Sequence, residues 1–233
     1  MDFYSLWKET RTMGFDDAEM IHAFLRFEAQ TIDPFVNGDE SSLETAYALL
    51  DSISIDAFFD AIKCGDYNHK ISPAMVPCFS NFENGAHRLI ELLEFEPDGL
   101  SFAEAGFQLI EAVSEGAKVK YGENQSKLAR IMSLVSISSN KPAVVTTTPW
   151  GNYLVRFNME QKQGVLKKLL LRDPCIQSII HSALNDYTRY ADKVAALSKS
   201  TAIRRRTNVK WLIEYILSGT DNEAVMLHID WEV

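Results

Sequence analysis

The feature that most constrains this 233-residue chain is the order of its local signals from Glu96 onward. Pro97, Asp98 and Gly99 form a turn signal. Ser101, with Glu104 three residues later, makes a capping box ahead of Ala105, Phe107, Leu109 and Ile110. In AKVKYGENQSKLARIMSLV, Gly122 reads as a break, and Leu128, Ile131, Met132 and Val135 follow as a helical stripe. SISSNKPAVV reads as two short strands about the turn SSNKP, after which the chain re-enters a helix near Trp150. A looser version of this order returns downstream. EQKQGVLKKLLL and CIQSIIHSALNDY are helical, and VAALSKSTAIRRRTNVKWLIEYIL holds a short helix, a Ser/Thr break and a longer helix. AVMLHIDWEV reads as a terminal strand.

Helix, turn, helix, hairpin is the order of a winged helix-turn-helix, whose second helix enters a groove of DNA. The sequence therefore predicts a mainly α fold. A helical N-terminal unit over residues 1–95 is followed by two tandem winged-helix-like units, over 96–157 and 158–233, each a helix-turn-helix with a short β-wing. Within the first unit, Met20, Phe24 and Phe27 are spaced as a helical stripe, with Asp16 and Asp17 in its first turn. Ser41 and Glu44 have capping-box spacing, and SIDAFFDAIK and ENGAHRLIELLEF read as further helices. Between them CGDYNHKISPAMVPCFSN, with two prolines and no period, reads as a loop or extended connector.

The formal charge of −9 is unevenly divided. Residues 1–100 carry 19 acidic and 6 basic side chains, whereas residues 116–218 carry 6 acidic and 17 basic ones. A net of −13 beside a net of +11 suggests two surfaces with different partners. The basic one has the electrostatic footprint of a polyanion binder. No apolar run is long enough to span a bilayer, and MDFYSLWKET is not a secretory signal. Cys64, Cys78 and Cys175 fit neither a disulfide framework nor a zinc knuckle, which suits the cytoplasm.

Helical geometry sorts the basic residues by face, at about 100° per residue. After Ser200, residues Val209, Leu212, Ile213 and Ile216 share the core side, and Ala202 projects onto it. Arg204, Thr207 and Trp211 project away from the core, with Asn208 and Lys210 on the flanks. Such side chains suit phosphates and base edges. Arg205 and Arg206 fall near the core edge, where internal pairing is expected. In the preceding unit, Ser126, Arg130 and Ser133 are expected outward and Lys127 on the flank. Lys118 and Lys120 precede them, and Lys141 stands near the tip of the proposed wing.

YGENQSKLARIMSLV, TTTPWGNYLV, LLLRDPCIQSII and above all LSKSTAIRRRTNVKWLIEYIL resemble the winged-helix modules associated with bacterial restriction and anti-phage systems. The signature is a Ser/Thr break, a pair of arginines, a valine and a tryptophan-containing helix, and the resemblance covers roughly residues 96–218. It implies Ser200 and Thr201 at the helix start, Arg204 and Arg205 as the arginine pair, and Val209 in the core. The signature tryptophan falls where Leu212 stands, so Trp211 departs from the pattern.

The motifs of catalysis are missing. The sole acidic-x-lysine match, Glu160-Gln161-Lys162, begins a helix and has no aspartate-bearing strand ahead of it. The five histidines are scattered, and there is no phosphate loop, GxSxG or GxGxxG. The expectation is a non-catalytic DNA-binding protein or subunit of a restriction or anti-phage system, with no metal and no cofactor. Duplex DNA would meet the basic units, and other subunits or a second copy would meet residues 1–95. Two alternatives are a structural adaptor using winged-helix units for protein contacts, and a metal-dependent nuclease with a degenerate site. A third is an acidic half that masks the basic half as a DNA mimic.

Overall fold

A computed structural model of the chain describes residues 17–26, 39–111 and 114–233. They are mainly helical. The N-terminal helices are α1 (Asp17–Arg26), α2 (Glu40–Ser52) and α3 (Ile55–Cys64). After a long irregular loop, a π-helical turn over Asn84–Arg88 runs into α4 (Leu89–Leu93). Met20 and Phe24 are buried on one face of α1, as their spacing implies, whereas Asp16 and Phe27 lie outside the described residues. Helix α2 starts two residues before the Ser41–Glu44 pairing would start it. The Asp39 carboxylate accepts from the backbone and hydroxyl of Ser42, each at 2.9 Å. An ionised acceptor at a helix N-terminus is favoured by the dipole as well as by the hydrogen bond.

The next segment comprises β1 (Leu100–Ser101), α5 (Phe102–Leu109), α6 (Glu115–Ile131), β2 (Val135–Ile137), β3 (Val144–Thr147) and α7 (Pro149–Leu154). The strands form an antiparallel sheet in the order β1-β3-β2, with Val145 opposite both Leu100 and Ile137. The Ser101–Glu104 capping box is present in both directions, at 2.8 and 3.3 Å. Gly122, however, does not break α6. It lies where α5 crosses, and a Cβ there would stand 2.0 Å from the carbonyl oxygen of Phe102; at Gly106 one would stand 1.9 Å from that of Lys118. These glycines bring two helix backbones together, so the cost of glycine within a helix is offset by packing. Helix α6 ends at Ile131, and Ser133, just beyond it, has a left-handed φ of 57°. Amides of Ser133 and Leu134 then close on the carbonyls of Arg130 and Ala129, at 2.9 and 3.0 Å.

The last segment comprises α8 (Met159–Leu170), α9 (Pro174–Asn185), β4 (Thr188–Arg189), α10 (Tyr190–Lys193), α11 (Lys199–Leu217), a 3₁₀ segment (Glu223–His228) and β5 (Ile229–Asp230). The expected second hairpin does not form. Strand β5 is two residues long and pairs with β4 in parallel, Thr188 opposite Ile229. The buried side chains of the terminal segment, Val225 and Ile229, are four residues apart. That is a helical spacing, not the alternation a strand requires.

One apolar core runs from Met20 to Ile229 and passes uninterrupted through the expected boundaries at 95/96 and 157/158. Phe24, Phe58, Phe59 and Leu50 are buried in the same core as Leu166, Leu169, Ile176 and Ile179. Polar ties follow the same route. Lys168 Nζ donates to the carbonyl of Leu50, and Gln177 Nε2 donates to that of Leu25 at 2.6 Å. Arg156 pairs with Glu40 across the same junction.

Candidate nucleic-acid interface

Helices α6 and α11 face each other across one cleft of about 450 Å³. Helix α6 contributes Lys120, Asn124, Lys127 and Arg130; α11 contributes Arg204, Arg205 and Asn208. The residues between are Ala74–Ser80 of the long loop and Asp173 at the start of α9. Two helices that the sequence assigns to different units thus share one basic surface.

On the α6 side, Lys120 and Lys127 converge on Glu123, at 2.7 and 2.5 Å. Burial works to raise the Glu123 carboxyl, but the hydrogen bonds from the two lysines outweigh it and hold it below the usual range. Lys118 is turned onto the Phe107 ring, 3.5 Å from its centroid. Arg130 is half-buried at the cleft, and Lys141, exposed at the hairpin tip, is not among the residues that line it. Ser126 and Ser133, expected outward, are both buried. Because α6 runs unbroken through Gly122, its inner face takes Gln125 and Ser126 with Leu128 and Ala129. Ser133 lies beyond the helix, and its hydroxyl accepts from Arg172 Nη1 at 3.1 Å inside the core. Neither serine can reach a nucleic acid.

On the α11 side, Arg204 is exposed and reaches the cleft. Arg205 Nη1 donates to the carbonyls of Pro73 and Val76, both at 2.7 Å, and Arg206 Nη1 donates to that of Trp231 at 3.1 Å. The internal pairing expected of these two arginines is present. Asn208 is tied inward too, its amide donating to the Phe79 carbonyl at 2.7 Å. Thr207 and Lys210 are exposed, with Lys210 3.8 Å from Glu214. Trp211 is 39% exposed but stacks on Tyr215 at 5.3 Å and packs against Phe82 at 4.9 Å. Its body is therefore part of an aromatic cluster. Ser200 stands in the first turn of α11, 3.3 Å from the Ser198 hydroxyl.

Not all of the basic excess reaches this surface. Lys162, Lys167, Lys168 and Arg172 are buried. Burial pushes the ammonium groups of Lys162 and Lys168 down to about 8. Lys162 Nζ lies 2.7 Å from His87 Nδ1, and the His87 ring is lowered by its own burial and by that lysine. Glu160 is exposed while Lys162 points inward, so the acidic-x-lysine match does not converge on one site. Among the described residues no group of three His, Cys, Asp or Glu side chains is arranged to hold a metal ion.

Two parts of the cleft were not singled out from the sequence. The loop over residues 74–80 carries no motif; Pro73 before it and Pro77 within it only argue against a helix there. Asp173 could have been found: Asp173-Pro174 is a helix-start signal, an N-cap followed by proline at the first helical position. Its Oδ1 accepts from the amides of Cys175 and Ile176 at 2.9 and 3.0 Å, and complete burial pushes its carboxyl up to about 7. No protein-family model, curated protein or solved structure matches this chain.

Proposed function

We propose that the chain is a non-catalytic DNA-binding protein of winged-helix type, acting on duplex DNA. The observation that carries this is the shared cleft, lined by Lys120, Lys127 and Arg130 of α6 and by Arg204 of α11. The strand order β1-β3-β2 behind α6 supports the winged-helix reading of the first segment. In the second segment only the helix-turn-helix part has support. Phosphate neutralisation would supply most of the affinity, and the exposed Lys120, Lys127, Arg204 and Lys141 are the groups placed to provide it. Membership of a restriction or anti-phage system rests on the sequence resemblance alone. Among the described residues no helix is long and apolar enough to cross a membrane. The three cysteines are unpaired, which is in keeping with a cytoplasmic protein.

The test is a salt titration of duplex binding by the full chain and by a Lys120→Gln, Lys127→Gln, Arg204→Gln variant. The wild type should weaken steeply, with log K against log salt falling by about 0.9 per phosphate contacted. The variant should bind less tightly and with a shallower slope. Salt-independent binding, or none, would leave the adaptor reading. That second reading has its own support: Phe95 and Phe107 are 81% and 58% exposed, and large exposed aromatics favour protein contacts.

A further inference from the structure

Asp173 does more than capping requires. Its Oδ1 satisfies both amides of the α9 N-terminus, yet Oδ2 has no hydrogen-bond partner although the residue is completely buried and lines the cleft. On the same cleft, Nε of Arg205 is buried without a partner while Nη1 holds the loop. A buried polar atom left unsatisfied costs free energy that a bound group can return. Around this acceptor and donor stand apolar walls from Met75, Pro77 and Ile131, and a rim of Lys120, Lys127 and Arg204. A cavity of about 450 Å³ is in the size class of small-ligand pockets, roughly 300–1,000 Å³.

We propose that this cleft binds a single nucleoside phosphate unit, its phosphate on the basic rim and the amino edge of its base on Asp173. The inference rests on the DNA-binding reading for the basic rim and goes beyond it in the cleft itself. Above about pH 7 the Asp173 carboxyl is ionised and only accepts, so there it selects a base that presents an exocyclic amino group. Adenine and cytosine do so, whereas thymine and uracil present carbonyl oxygens. A ring acceptor beside that amino group suits the free N–H of Arg205. The unit comes either from a free mononucleotide or from one nucleotide of a single strand, and the two sources share this chemistry.

The experiment is calorimetric titration of the full chain, at about pH 8.5 where the Asp173 carboxyl is ionised, with cytidine, adenosine and uridine monophosphates, with inorganic phosphate, and with oligo-dC and oligo-dT. It is repeated on Asp173→Asn. Asparagine caps a helix as well as aspartate does, so α9 keeps its start while the free oxygen becomes a donor. Cytidine and adenosine monophosphates should bind on the order of tenfold more tightly than uridine monophosphate or phosphate, and Asp173→Asn should erase that preference. If only oligonucleotides bind, with oligo-dC preferred and the preference lost in Asp173→Asn, the source is a strand and the proposal stands. Equal binding of all monophosphates and phosphate, unchanged by Asp173→Asn, overturns it, as does no saturable binding by any probe. Should Asp173→Asn fail to melt cooperatively, Lys127→Gln replaces it, expected to weaken every phosphate probe and leave the base preference intact. No effect of Lys127→Gln also overturns the proposal. Duplex affinity measured in parallel separates the two readings. Nucleotide binding lost with duplex binding retained sinks this inference alone, and the reverse sinks the duplex reading alone.

Discussion

Helices α6 and α11 line the same cleft, yet they are held in different ways. Helix α6 is fixed from behind, by two glycines that let α5 close onto it and by a left-handed serine at its end. Its basic side chains are paired on the surface, Lys120 and Lys127 sharing Glu123. Helix α11 is fixed from the front. Arg205, Arg206 and Asn208 commit their donors to the backbone of the long loop and of Trp231. Polar and basic side chains thus stay at the surface on one helix and serve as structural ties on the other. A hairpin backs α6, whereas only a two-residue parallel pairing accompanies α11, so α11 needs the additional ties.

The largest effect should come from the rear attachment of α6. Gly122→Ala places a methyl 2.0 Å from a backbone oxygen, where no side chain can yield. We expect a loss of about 3 kcal/mol or more, the upper end of overpacking. Gly116 is in the same helix, and a methyl group there would meet nothing within 4 Å, so Gly116→Ala should be neutral or stabilise by up to about 1 kcal/mol. Chemical denaturation of both variants checks this. Equal stabilities would mean that α5 and α6 do not pack through their glycines.

The front attachment of α11 is tested by two adjacent arginines. Arg205→Ala leaves the carbonyls of Pro73 and Val76 without their charged donor, and should cost about 2–3 kcal/mol of stability. Arg204→Ala should leave the melting temperature unchanged and weaken duplex binding by about 1–3 kcal/mol. Melting and DNA titration on the pair decide between the roles. An Arg205→Ala variant that melts like the wild type would remove the contrast between the helices.

That Arg204 is exposed while Arg205 is tied inward was legible because Val209, Leu212, Ile213 and Ile216 fix the phase of α11 without ambiguity. The Ser101–Glu104 box and the first hairpin were legible for the same reason, each being a local signal. The phase of α6 was not. Reading Gly122 as a break hid its contact with Phe102, twenty residues away in the chain, and with it the packing that buries Ser126. Long-range burial also hid the fate of the charge. Lys162, Lys167 and Lys168 count as basic surface in a composition, and only the packing of α8 removes them from it. The cleft itself has no local signature, since it exists only where α6, α11 and the long loop meet.

Buried lysines give the second segment a pH response that α6 lacks. Lys162 and Lys168 have folded-state values near 8, below the ordinary 10.5. Their burial penalty is therefore present in full below about pH 8 and fades as pH rises toward 10.5. Stability should climb between pH 8 and about 10, by at most about 1.4 kcal/mol per pH unit for each lysine. Higher still, the buried Tyr67 hydroxyl, pushed up to about 12, works in the opposite direction. Lys162→Met should reduce the slope in that window, as read from denaturation midpoints at several pH values. A profile with the same slope in wild type and variant would mean that Lys162 is solvated.

The smallest expected effect is on binding, and it asks whether the lysines of α6 are held in reserve. Glu123 is the partner of both Lys120 and Lys127, so each lysine reaching a phosphate must first leave a carboxylate. Glu123→Gln removes that competitor and adds one unit of positive charge beside the cleft. Exposed pairs of this kind are worth about 0.2–1 kcal/mol each, so the fold should be little affected. Duplex affinity should rise a few-fold at low salt. The gain should shrink as the Debye length falls from about 10 Å at 0.1 M to about 3 Å at 1 M. Lys210, paired with Glu214 at a longer 3.8 Å on α11, provides the internal control. Glu214→Gln should change affinity less, because Lys210 is already nearly free and is not among the residues lining the cleft. If Glu214→Gln raises affinity more than Glu123→Gln does, DNA is read by α11 rather than α6, and the assignment of contact and support between the two helices is reversed.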